Sequence, residues 1–487
     1  MVTMPVATLD GATINLDDGQ VAELAATFRG PLLRPGDDGY EAARHVWNGL
    51  IDRHPALIAR CLGTADIVAA VNFARTHQLR VSVRGGGHNV TGSAVCDGGL
   101  MIDLALLRAV YVDPEARVAR VQPGATWADV DRETQLHGLM TPGGEVSGTG
   151  VAGFTLSGGM AATRRKYGLA CDNLRSVQIV TADGRVVTAS ATAHPDLFWA
   201  IRGGGGNFGI VSSFEFDLFP LGPEVFSLAV MHKQEDAPAL IRQFRDLAPH
   251  LPEEISVSLI FWGLPPNPAL PAALHWRPIF MLSGLYAGPA AEGEAAFRAL
   301  RALGTPLIDA SGTMTYKQKQ QRLDGFVPNG VHAYMKAVSI PALTDEVIDL
   351  VARHGATRPS PLTLISIRLL GGAMARVPED GSAYGNRSAP FNVSYDAISY
   401  NPADPAGPTG WGYELANTDG LVSWGRAAAA EMQALTGGSI YLNFTGADEG
   451  GEQTVRTAFL GNWDRLVAIK RRYDPANLFR GNSNIVP

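Results

Sequence analysis

Three consecutive glycines, Gly85, Gly86 and Gly87, run directly into His88. A glycine run leaves backbone N–H groups unscreened by any Cβ, and successive free amides make a concave site for an anion such as a pyrophosphate. The pattern predicts a loop that cradles a dinucleotide and a histidine bonded to what the loop holds. Glycine is about 11% of the chain, against a usual ~7%. The excess is concentrated at 85–99, 143–159, 203–209 and 437–451. This distribution suggests several loops converging on one large ligand. None of them is a G-x-G-x-x-G fingerprint opening a helix, and no G-x-x-x-x-G-K-[ST] phosphate loop is present.

The elements that must position this loop read clearly. VSVR at 81–84 alternates as a strand, and 55–60 and 101–107 read as strands too. Between them, apolar residues at helical spacing follow Thr64, which reads as an N-cap. Strands are expected at 110–112, 117–122, 177–182 and 185–190, a helix at 127–137 capped by Thr126, and a long strand after the glycines at 203–209. Composition shifts after Pro220. Strands at 226–231, 255–262, 277–286 and 362–369, with helices at 236–248, 292–303 and 342–353, suggest a second α+β unit on an antiparallel sheet. A helix at 422–436, a strand at 439–444 and a helix at 462–472 close the chain.

The 487 residues, 46% hydrophobic and 18% charged, are enough for two or three domains with large cores. A net charge of −7 argues against nucleic acid as a partner. Cys61, Cys96 and Cys171 show no metal spacing and read as buried hydrophobes. No metal is expected. No run of 18 apolar residues occurs and the N-terminus lacks a leader pattern, so no membrane contact and a cytoplasmic location are expected.

Four blocks, at 83–104, 148–174, 196–211 and 441–444 with 462–485, together resemble the FAD-linked oxidases of the vanillyl-alcohol oxidase / p-cresol methylhydroxylase superfamily, in the berberine-bridge-enzyme-like branch. The resemblance implies an α+β fold with a two-part FAD domain, residues 1–224 and 439–487, around a substrate domain at 225–438. It implies FAD bound covalently through His88. Arg84, Gly85, Gly86, Gly87, Asn89, Gly92 and Ser93 would form the pyrophosphate loop. Gly148, Thr149, Gly150, Gly153, Gly158 and Gly159 would line the flavin, followed by Asp172 and Asn173. Gly206, Asn207, Gly209 and Ile210 would wrap the adenine side, and Asn482 or Asn484 would close the site.

Two positions depart from the family pattern. Val146 stands where many relatives carry a second, cysteinyl link, so a single tether is expected, with a lower flavin potential and a more open site. Phe444 stands where several relatives place a tyrosine base, so a base must come from elsewhere. Tyr441 and Asn443 are candidate polar contacts to the flavin ring. Arg368, a lone charge in an apolar strand, is either an ion-pair member or a substrate anchor. Tyr334 and Lys336 share one face, or else sit on a surface hairpin; Tyr395 and Tyr400 are further phenols. The run 164–166 reads as a solvated basic face, with one member able to meet a phosphate. Thr149 would leave room for O2, which implies an oxidase of a small alcohol, amine, sugar or secondary metabolite that makes H2O2. A dehydrogenase, an oxidative cyclase and a non-catalytic flavin protein stay open as alternatives, as does the oligomeric state.

Overall fold

The computed structural model describes residues 3–487 except 265–269, 273–274, 401–417, 446–450 and 482. The proline- and glycine-rich segment 401–412, which reads from its sequence as a loop, lies outside the described residues. The strands Leu57–Arg60, Leu100–Asp103 and Val81–Arg84 form a parallel set with an antiparallel edge, Leu32–Leu33. The crossover is the helix Thr64–Thr76, which buries Ile67, Ala70, Val71 and Ala74. Thr64 is its first helical residue rather than its cap: Gly63 holds the cap position, and the Thr64 hydroxyl donates instead to Gln178 at 3.2 Å. A five-stranded antiparallel sheet follows, in the order Val186–Ser190, Leu174–Val180, Ile210–Asp217, Val118–Val121, Val110–Asp113.

The third sheet has nine strands among the described residues, and each of its pairings is antiparallel. Its centre runs Pro278–Tyr286, Ile255–Gly263, Leu364–Leu369, Phe391–Ser399, His332–Ile340. Successive side chains of a strand point to opposite faces. One face, with Val257, Leu259, Phe261, Ile365, Ile367, Val393 and Tyr395, packs under the helices Ala237–Leu247, Asp345–Ala356 and Thr418–Thr436. The other face, with Ser258, Ile260, Trp262, Leu364, Ser366 and Arg368, turns toward the glycine loops.

Several expectations are corrected here. Residues 292–303 form two single turns, Gly293–Ala296 and Arg298–Arg301, not one helix. The strand expected at 439–444 is only Ser439–Ile440, which pairs with Val338 and Ser339 of the large sheet; Leu442–Phe444 is a 3-10 turn. Tyr334 packs against Ala397 and Leu421, and Tyr395 against His354 and Trp424, beneath the helix layer and away from the loops. The run at 164–166 is not a solvated face. Arg164 is 1% exposed and Arg165 7%. Their guanidiniums donate to the carbonyls of Leu369, Val257, Leu370, Pro252, Ile255 and Leu251, while Lys166 donates to Ala287. They clamp the second glycine segment to the large sheet, because a buried guanidinium needs acceptors and the strand ends and adjoining loops offer them.

The C-terminal helix Trp463–Tyr473 returns to the first part of the chain. Lys470 is fully buried and donates to the carbonyls of Asn207 at 2.8 Å and Phe479 at 2.9 Å and to Asp474 at 2.7 Å. Among the described residues no helix is long and apolar enough to cross a membrane.

Candidate cofactor and substrate site

A cavity of about 350 Å³ lies between the glycine loops and the inner face of the large sheet. Gly85, Gly86, Gly87, His88, Asn89 and Ser93 line it from the first loop. Thr149, Gly150 and Gly153 line it from the second, and Gly206, Gly209 and Ile210 from the third. Among the described residues, the N–H groups of 86–90 have no acceptor in the protein, so five consecutive amides are available to a ligand. The glycines divide by reason. A Cβ on Gly86 would stand 2.4 Å from Cα of Gly150, and one on Gly150 would stand 2.6 Å from Cα of Gly86. The two loops therefore touch backbone to backbone. A Cβ on Gly153 or Gly206 would meet nothing within 4 Å. These two keep the cradle itself clear.

The other residues assigned to the cofactor stand behind the cavity wall. Arg84 donates to the carbonyl of Ala43 and faces Asp103 at 4.0 Å, so its guanidinium is engaged within the protein. Gly92 takes a left-handed turn against Ile51. Gly148 is exposed outside the cavity, and Gly158 and Gly159 have positive φ against Tyr384 and Phe154. Asp172 accepts both arms of the buried Arg387, at 2.7 and 3.0 Å, and Asn173 donates to the carbonyls of Tyr167 and Leu169. Asn207 donates to the Gly204 carbonyl within its own loop and to the Ser483 carbonyl, and accepts from the Ile485 N–H, which ties the loop to the C-terminal segment. Asn484 is not among the cavity-lining residues, and Asn482 lies outside the described residues. A ligand loop needs a scaffold of such bonds, and sequence alone does not separate scaffold from cradle.

The opposite wall is mostly apolar, with Ile260, Trp262, Met281, Phe326, Met335 and Ile398. One charged pair interrupts it. Arg368 donates to the Ser394 hydroxyl at 2.8 Å, reaches to 3.9 Å from Asp396 and lies 5.2 Å from the Phe444 ring centroid. It is an ion-pair member and a cavity-lining cation at once. Asp396 was missed by the sequence reading. It lines the cavity, accepts from Ser394 at 3.1 Å and has a buried Oδ1 with no partner among the described residues. Burial pushes its carboxyl up to about 6, against the pull of Arg368 and Ser394. Its strand, FNVSYDAIS, alternates apolar and polar, with Asn392, Ser394 and Asp396 on one face, a pattern that does not by itself separate a cavity-facing strand from a solvent-facing one. Glu145 also lines the cavity; burial raises its carboxyl, but Lys319, Arg164 and Arg368 outweigh that and hold it below the usual range.

Tyr441 is 4% exposed, and its oxygen accepts from Asn443 at 2.8 Å and from the Met160 N–H at 3.2 Å. Burial raises this phenol above its ordinary value. Tyr441, Asn443, Phe444, Val146 and Thr149 all line the cavity. Burial pushes the His88 imidazole down to about 4, which leaves it neutral, with a ring lone pair, at neutral pH.

Residues 55–190 match the family model described as FAD binding domain, and residues 440–486 match that of berberine and berberine-like proteins. An FAD-linked oxidoreductase of Dictyostelium discoideum is 27% identical, over 96% of this chain and 97% of its own. The (R)-6-hydroxynicotine oxidase of Paenarthrobacter nicotinovorans is 29% identical, over 95% of this chain and 97% of its own. Among solved structures, 6-hydroxy-D-nicotine oxidase from Arthrobacter nicotinovorans superposes with a TM-score of 0.78 at 26% identity, covering 94% of this chain and 98% of that one. Xylooligosaccharide oxidase from Myceliophthora thermophila gives a TM-score of 0.80 at 25% identity, covering 96% and 99%. The amide-lined cradle, the α+β architecture around it and these likenesses along nearly the whole chain agree, and the protein belongs to the FAD-linked oxidases of the vanillyl-alcohol oxidase / p-cresol methylhydroxylase superfamily, in the berberine-bridge-enzyme-like branch.

Proposed function

We propose that this enzyme oxidises a small, largely apolar molecule at a carbon bearing an O–H or N–H, with FAD held by a single covalent bond to His88 and with O2 as acceptor, giving H2O2. Residues 1–224 and 439–487 hold the cofactor and 225–438 supply the substrate wall. When bound, FAD accepts the hydride and its electron pair. The amides of 86–90 cradle its pyrophosphate, the small Thr149 leaves the ring open to O2, and Tyr441 with Asn443 offers polar contacts. Asp396 takes the proton from the substrate O–H or N–H through its unpartnered Oδ1, and Arg368 orients it.

The observation that carries this reading is the Arg368–Asp396 carboxylate–guanidinium pair in a mostly apolar wall facing the amide loops. Such a wall suits an aromatic or alicyclic substrate with one polar group better than an oligosaccharide, whose many hydroxyls each need a partner. The carboxylate also supplies the base that Phe444 cannot, which favours turnover over a non-catalytic role. Anaerobic mixing with a panel of aromatic alcohols, alicyclic amines and sugars tests it. An apolar compound should bleach the flavin, and Asp396→Asn should bleach ~10²–10⁴ slower with the same compound. Bleaching by sugars alone, or at the same rate in the variant, would contradict it.

A further inference from the structure

We propose that Trp47 is the positioning residue that sets the His88 imidazole for its attachment to the flavin; this rests on the reading of His88 as the attachment point. The two rings are stacked, with centroids 4.3 Å apart and planes 14° from parallel. Among the described residues the His88 ring makes no hydrogen bond to another side chain, and the Trp47 indole is the ring stacked on it. The stack therefore fixes the ring plane. Trp47 is itself immobilised. It is 4% exposed, its backbone N–H donates to the Gly87 carbonyl at 3.0 Å, and its indole N–H donates to the Val327 carbonyl at 2.9 Å. Its own carbonyl accepts from Gly330 at 2.9 Å. The neighbouring Asn48 repeats the arrangement, donating to the carbonyls of Val90 at 2.7 Å and Ala333 at 2.8 Å. The plate against which His88 rests is thus anchored on one side to the glycine loop and on the other to the segment at 327–333.

The chemistry makes orientation matter. Attachment forms a bond between an imidazole nitrogen and the 8α carbon of the flavin. The imidazole N–H and one 8α C–H are lost, which releases two protons and two electrons, and O2 accepts both as H2O2. The nitrogen lone pair must point along one line at that carbon. Holding a reactant in the attacking geometry is worth orders of magnitude in rate. A neutral ring pressed flat on an indole can rotate out of line only by giving up the stack.

The test separates the ring from its hydrogen bond. Trp47→Phe keeps an aromatic face and loses the indole N–H, whereas Trp47→Gln keeps an N–H donor and loses the face. Each full-length protein is purified, incubated with FAD in aerated buffer and acid-precipitated at intervals, and flavin is counted in pellet and supernatant. Trp47→Phe should attach flavin within about threefold of the wild-type rate. Trp47→Gln should bind flavin but release most of it on precipitation, with attachment slowed at least tenfold. Loss of attachment or of folding in Trp47→Phe, or wild-type attachment in Trp47→Gln, would overturn the proposal. His88→Ala runs alongside: acid-stable flavin in that variant would instead overturn the attachment point itself.

Discussion

At the scale of single residues, the site rests on charges that a low-dielectric wall makes conspicuous. Asp396 is 5% exposed, and burial lifts its carboxyl from the ordinary range to about 6. A base must be ionised to accept a proton, so log(kcat/KM) should rise with unit slope below pH about 6 and level off above it. Asp396→Asn should lose that limb together with most of the rate; a variant that keeps the limb would show that another group is the base. The same displacement makes the folded protein hold a proton that the unfolded chain releases. Asp396 therefore withdraws stability as pH rises from about 4 to about 6, and its effect is constant above that window. Arg368 was legible in the sequence because a lone cation in LTLISIRL breaks an apolar pattern. Asp396 was not, because its strand mixes a phenol, two serines and an asparagine, and a polar face turned into a cavity looks like a polar face turned to water.

At the scale of elements, the two glycine loops are one structure. Gly86 and Gly150 are glycines because the loops meet there, while Gly153 faces open space in the cavity. Gly86→Ala must push the Gly150 backbone, and overpacking of that kind costs about 1–3 kcal/mol. It should lower the melting temperature even without flavin and loosen flavin as well. Gly153→Ala should leave the flavin-free melting temperature within about 1 °C of wild type by order of magnitude, yet reduce flavin content. Equal melting behaviour in the two variants would remove the distinction. Their glycine clustering marks these loops out in the sequence as candidates for a ligand site. Their mutual contact was not legible there, because no local pattern encodes which backbone approaches which. The basic run at 164–166 shows the converse: three adjacent cations read as solvent-facing, and only the large sheet, which supplies buried carbonyls, draws them inward.

At the scale of the whole molecule, the site exists only when distant parts of the chain close on one another. Strands before residue 104 deliver His88, and the strands between Glu224 and Ile440 build the facing wall. The C-terminal helix locks the third glycine loop through Lys470, whose ammonium is satisfied by two carbonyls and Asp474. The strand and helix patterns gave most of the architecture, since period-2 and helical spacings survive in half-buried elements. The strand Phe391–Ser399, buried along its whole length, escaped that reading. The resemblance implies what periodicity cannot, a joining of the two ends of the chain into one cofactor domain. The most direct test of the account asks whether this closed assembly tethers FAD at one point. Tryptic cleavage after Arg84 and Arg108 yields a peptide containing Gly85, Gly86, Gly87 and His88. Mass spectrometry of protein purified with its flavin should find that peptide heavier by FAD less two hydrogens, with no other peptide modified, and His88→Ala should abolish the shift. An unmodified peptide from yellow wild-type protein, or flavin found on a second peptide, would contradict the account.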